Sequence, residues 1–149
     1  MKHYIIKLIC ISFLSFFSCN TKKEVDETEI FKKRAHKFLQ KSAIDITNKK
    51  KIIVWTNSSC QGCRASTVNT LMNNEILEDI EVIIPQGLAH GEATYLSEKF
   101  KFIDKDNIFG NTYFGISNVG IIYLENDSIV AIKDYNTDEM EAFERDILN

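Results

Sequence analysis

Cys60-Gln61-Gly62-Cys63 sets two thiols three positions apart, between the apolar run Lys51-Ile-Ile-Val-Trp55 and a stretch of helical character. Such a pair can exchange disulfides, supply half of a metal site, or act as a structural staple. The first turn of a helix exposes unpaired N–H groups and carries about half a positive charge. A thiolate there is stabilised, so Cys60 is expected to ionise more readily than a free cysteine at about 8.5. Cys63 lies one turn later on the same helical face, within reach of a bridge to Cys60. A ring this small constrains little of the unfolded chain, which argues against a staple. Exchange chemistry is the expected role: Cys60 attacks or is attacked, and Cys63 resolves the mixed disulfide. Gly62 costs about 1 kcal/mol against Ala inside a helix but leaves the approach to both sulfurs open. Zinc takes four ligands, and His36 and His90 are the other soft donors past residue 19. His36 falls on a lysine-rich helical face and His90 in the loop Gly87-Leu-Ala-His-Gly91, so no metal and no cofactor are expected. A metal half-site and an idle pair stay open as alternatives.

Which of these holds depends on the redox compartment, and the start of the chain speaks to it. Met1 to Lys7 is short and basic, and Leu8 to Phe17 supplies ten apolar or small residues before Ser18-Cys19. Ten helical residues span about 15 Å, roughly half the hydrocarbon thickness of a bilayer, so the run is too short to cross. This is the layout of a secretory signal. Phe16-Phe17-Ser18-Cys19 resembles a bacterial lipobox, with Cys19 as the lipid-bearing new N-terminus. Residues 1–18 are therefore expected to be a signal peptide and 19–29 a polar tether. The mature chain would hang from a bacterial membrane by its acyl chains, facing the periplasm or the cell surface, an oxidising space. Cys10 leaves with the signal and Cys19 takes the lipid, so Cys60 and Cys63 have only each other as thiol partners. A net charge of −3 gives no basic field for nucleic acid.

The elements that must position the pair are legible from periodicity. Ile30, Phe31, Ala35, Phe38 and Leu39 recur at helical spacing, predicting a helix over Glu29 to Ser42 with Asp26 and Glu29 as a capping box. Lys51 to Thr56 reads as a strand buried on both faces. Asn57-Ser58-Ser59 supplies N-cap side chains for a helix running through Val68, Leu71 and Met72 to about Asn73. A second buried strand is expected at Asp79 to Ile84, a helix from about Glu92 to Phe102, and a loop from Asp104 to Thr112. Strands at Val119 to Leu124 and Ile129 to Lys133 flank the hairpin signal Glu125-Asn-Asp-Ser128. Asn136 and Glu139 form a second capping-box pattern before a helix that buries Met140, Phe143 and Ile147. Residues 30–149 then make one α/β domain, a mixed sheet with helices on both faces.

Strand, turn, C-x-x-C and helix over Lys51 to Met72, together with Gly115-Ile-Ser-Asn-Val-Gly-Ile-Ile-Tyr-Leu-Glu-Asn-Asp-Ser-Ile-Val130 entering the last hairpin, resemble the thioredoxin-like superfamily. The likeness covers roughly Glu29 to Asn149. It implies a three-layer α/β/α sandwich and a disulfide oxidoreductase, with Cys60 the exposed nucleophile and Cys63 the buried resolving thiol. Partners would be protein thiols or disulfides and an electron donor or acceptor. Three positions depart from the family pattern. Where members carry a cis-proline facing the cysteines, this chain has Gly120, or Val119 one position earlier. These two are the candidate substrate-binding residues, and a trans peptide is expected there because a cis bond before a non-proline residue costs about 2.5–4 kcal/mol. Ser59 stands where thioredoxins often have Trp, and Val54 where some members bury an acid. The missing proline keeps a rival expectation in view: a redox-inactive binding module, or a copper-binding protein using the two thiolates. Tyr113 and Phe114 are expected either to floor a partner groove or to join the core.

Overall fold

The computed structural model describes residues 26–74, 78–86, 102–104 and 113–149. In chain order these form α1 (Glu27–Lys41), β1 (Lys51–Trp55), α2 (Gln61–Asn73), β2 (Ile80–Pro85), β3 (Phe102–Asp104), β4 (Val119–Glu125), β5 (Ser128–Tyr135), and, after a single 3-10 turn at Thr137–Glu139, α3 (Met140–Leu148). The strands make one mixed sheet in the order β3-β2-β1-β4-β5. β1 pairs in parallel with β2 and antiparallel with β4, β3 joins β2 in parallel, and β5 closes the other edge as a hairpin with β4.

Alternation of side chains along each strand divides the sheet between two cores. Ile53 and Trp55 enter one with Val82, Ile84, Val119 and Ile121, covered by Val68 and Leu71 of α2 and by Phe143 and Ile147 of α3. Ile52 and Val54 enter the other with Ile83 and Ile122, covered by Ala35, Phe38 and Leu39 of α1. The uninterrupted apolar run of β1 is thus the signature of a central strand buried on both faces. Among the described residues no helix is long and apolar enough to cross a membrane.

Local differences from the expected elements have physical causes. α1 begins at Glu27, because Asp26 accepts from the Thr28 N–H at 3.0 Å and starts the helix there. Residues 27–29, expected in the tether, are therefore helical, and the Glu29 carboxylate pairs with Lys32 at 3.1 Å. Phe102, expected at the end of a helix, belongs to β3. Three residues show no period of their own, and it is the pairing with Ile83 that makes this segment a strand. β5 runs on to Tyr135, two residues beyond the apolar alternation, since Asp134 and Tyr135 pair with Gly120 and Val119. The turn between the last two strands has two central residues, Asn126 and Asp127, both at positive φ (49° and 60°). That is the backbone a tight hairpin demands and that Asn and Asp tolerate. At the second predicted capping box, the Glu139 carboxylate accepts from the Asn136 N–H at 2.9 Å. The expected signal segment, Cys19, the tether up to residue 25, the rest of the predicted helix from Glu92, and His90 lie outside the described residues.

Gly120 is a place where the sheet leaves no room. A Cβ there would lie 2.7 Å from Ile116 Cδ1 and 2.7 Å from the Lys133 carbonyl oxygen, closer than real atoms approach. Gly120→Ala is expected to lower the free energy of unfolding by about 1–3 kcal/mol. The signature is a reduced urea midpoint at unchanged slope; an unmoved midpoint would show that β4 and β5 yield freely.

Candidate active site

The chain leaves β1 at Trp55 and must turn before α2 begins. Ser59 N–H donates to the Thr56 carbonyl at 3.1 Å, and the Thr56 N–H donates to Ser59 Oγ at 2.9 Å. The turn is tied across the sheet to the segment entering β4. The Asn118 carbonyl accepts from the Ser59 hydroxyl at 2.6 Å, from the Thr56 hydroxyl at 2.9 Å and from the Thr56 N–H at 3.1 Å. Ser59 and Thr56 are thereby committed to residue 118 instead of to the helix. The N-cap position, expected among Asn57-Ser58-Ser59, falls to Cys60. It is extended (φ −66°, ψ 149°), and its Sγ accepts from the Cys63 N–H at 2.9 Å. A cysteine here does what serine does at other helix starts.

Cys60 and Cys63 stand within disulfide distance, Sγ to Sγ 2.15 Å, with Cα atoms 5.2 Å apart. Cys60 is partly exposed. Cys63 is fully buried, in the core that holds Trp55, Val68 and Val119. Gln61 and Gly62 between them face solvent, and a Cβ on Gly62 would meet nothing nearer than Cys60 Sγ at 4.0 Å. The sulfur at position 60 accepts from an N–H of the first turn, at the positive end of a 13-residue helix, a setting that favours a thiolate over a thiol.

Three polar residues that sequence reasoning did not single out complete the surroundings. The side chain of Asn118 spans both cysteines: its Oδ1 accepts from the Cys60 N–H at 2.9 Å, and its Nδ2 donates to Cys63 Sγ at 3.4 Å. Asp134 on β5 holds that loop, accepting from the Ser117 N–H at 3.1 Å, from the Ser117 hydroxyl, and from the Asn118 N–H at 3.3 Å. Arg64, directly after Cys63, donates from its guanidinium to the Ser59 carbonyl, bringing a cation to the start of the turn. The only sequence signal for Asn118 was its place beside Val119. For Asp134 there was none, because its role arises from hairpin pairing.

The candidate substrate residues open β4, directly after Asn118. Val119 is fully buried with Cys63 in the same core, paired with Trp55 on one side and Tyr135 on the other. Gly120 is buried against Ile116 on the opposite face of the sheet. The peptide bonds here are trans. Tyr113 and Phe114 part company: Phe114 is buried beside Phe38, ring centroids 5.9 Å apart, whereas Tyr113 is more than half exposed and meets the edge of Phe31. Both belong to the α1 side, away from the cysteine core. His36 is on that side too, its Nε2 3.0 Å from the Gln40 side chain. Among the described residues no group of three or more metal-ligating side chains comes together.

Comparison of the chain with protein-family models, with curated proteins and with solved structures returned no match.

Proposed function

We propose that this protein is a thiol–disulfide oxidoreductase of thioredoxin-like type, lipid-anchored through Cys19 in a bacterial cell envelope. The observation that carries the reading is a partly exposed sulfur at a helix N-terminus, at bonding distance from a buried partner sulfur. The central strand, the turn and the helix behind the pair support the family assignment, as does a mixed sheet closed by an antiparallel hairpin. In the reducing direction, the Cys60 thiolate attacks a substrate disulfide. Its S–S bond breaks, a Cys60–substrate disulfide forms, and one substrate thiolate leaves and takes a proton. The Cys63 thiolate then attacks Cys60 Sγ, closing the intramolecular bond and expelling the second substrate thiolate. Two electrons pass from the cysteine pair to the substrate; run backwards, the same steps oxidise a dithiol.

The test is trapping. Cys63→Ser, incubated reduced with an aryl disulfide, is expected to accumulate a mixed disulfide on Cys60 that dithiothreitol releases, while the unsubstituted protein passes through to its own disulfide. No adduct on Cys63→Ser would remove the reading. Uptake of copper(I) by the reduced protein, lost in a double serine variant, would then favour a metal-binding module.

A further inference from the structure

Building on the exchange chemistry above, we infer that Asn118 is the hydrogen-bond donor that stabilises the Cys63 thiolate whenever the Cys60–Cys63 bond is open. The orientation of its amide is dictated by its neighbours. The Cys60 backbone N–H can only donate, so the atom 2.9 Å from it is Oδ1; the NH₂ group is left facing Cys63 Sγ at 3.4 Å. The amide is held from behind as well. Three donors converge on the Asn118 carbonyl and Asp134 accepts from its N–H, so the donor is fixed before any charge develops.

Cys63 needs such a donor. It is fully buried, and desolvation disfavours a thiolate. Among the described residues, the core that holds Cys63 contains no carboxylate or cation; Ile53, Trp55, Val68, Leu71, Val119, Tyr135 and Phe143 are among its members. The one titratable group among them, the Tyr135 phenol, is driven far above its ordinary range by burial and by its hydrogen bond to Asp146. Cys60 Sγ and the Arg64 backbone belong to the same turn, but the Arg64 guanidinium is engaged at the Ser59 carbonyl. Among the described residues, the Asn118 amide is therefore the side-chain donor placed to stabilise Cys63. It acts in both directions, on Cys63 as the resolving nucleophile and on Cys63 as the leaving group when an external thiolate attacks Cys60.

The experiment uses the full chain carrying Cys10→Ser, Cys19→Ser and Cys60→Ser, so that Cys63 is the one thiol left, with its ionisation followed by thiolate absorbance against pH, a readout that needs no substrate. Asn118→Ala in this background is expected to raise the Cys63 midpoint by about one pH unit, roughly tenfold in the ionisation constant. Asn118→Asp, isosteric and able to keep the acceptor at the Cys60 N–H, should raise it further by setting a carboxylate against the sulfur. This variant carries the test if the alanine variant fails to fold. With both cysteines present, dithiothreitol should open the disulfide about three- to tenfold more slowly in Asn118→Ala, since a poorer leaving thiolate departs more slowly. A purely structural role predicts the opposite, faster opening through a loosened turn. Coincident Cys63 midpoints in the Asn, Ala and Asp proteins would overturn the inference. A shifted midpoint in a protein whose Cys63→Ser form traps no adduct would instead leave the inference standing and remove the oxidoreductase reading.

Discussion

Cys60→Ser is expected to abolish disulfide exchange, slowing it by about a thousandfold or more, as removal of a reacting nucleophile does. A serine hydroxyl remains protonated at neutral pH and forms no disulfide, so neither half of the exchange can begin. The substitution is unusually clean because serine suits the position. Cys60 is the N-cap of α2, and its side chain accepts from the Cys63 N–H, a bond that a serine oxygen makes equally well. The helix should start where it does now. Loss of the four-residue ring removes about 2 kcal/mol of stability under oxidising conditions, and nothing under reducing ones, so rates and melting should be compared in reductant. There, a folded Cys60→Ser protein with residual exchange above a hundredth of the parent rate would show that another group performs the chemistry.

The second large effect concerns stability. Phe143→Ala should lower the free energy of unfolding by about 3–5 kcal/mol, the range for emptying a buried aromatic site, against a typical domain stability of about 5–15 kcal/mol. Phe143 is fully buried, and its ring meets Tyr135 edge-on with centroids 5.1 Å apart. α3 has nine residues, too few to be stable alone, so its helicity depends on the face it packs. Its polar side is fastened separately. Asp146 accepts from Tyr135 Oη at 2.5 Å and from Lys133 Nζ at 2.6 Å, and Tyr123 Oη lies 3.1 Å from Tyr135 Oη. The hydrogen bonds from Lys133 and Tyr135 hold the Asp146 carboxyl below its ordinary range, so this fastening is present above pH about 4 and weakens as acid protonates the carboxylate. Urea unfolding at neutral pH reads the cavity effect alone; a loss under about 1 kcal/mol would mean that α3 collapses into the space.

Much of this architecture could be read from residue order because it depends on local rules. Ile52 to Trp55 is apolar without a break, and only a central strand buried on both faces satisfies that. Asn126 and Asp127 tolerate the positive φ of a tight hairpin, and Phe143 and Ile147 recur at helical spacing. The edge strand at Phe102 was not legible, since three residues carry no period and the pairing partner is distant in sequence. Nor was the helix cap: Ser58 and Ser59 are good capping residues, yet Ser59 is drawn to the Asn118 carbonyl, 59 positions away.

The residue order alone placed two thiols at the start of a helix behind a buried strand, because strand, turn and helix are set by neighbours within a few positions. It could not say which side chain of the segment from Ser117 to Gly120 meets those thiols. Val119 and Gly120 were the residues picked out there as substrate-binding. Val119 packs in the core that holds Cys63, Gly120 lies against Ile116 on the other face, and it is the Asn118 side chain that hydrogen-bonds at both cysteines. That outcome depends on the register of β4 against β1, with Trp55 opposite Val119, and a slip of one residue would turn every side chain to the opposite face. Only the assembled sheet, with Asp134 holding the loop from the neighbouring strand, brings the Asn118 amide to both cysteines.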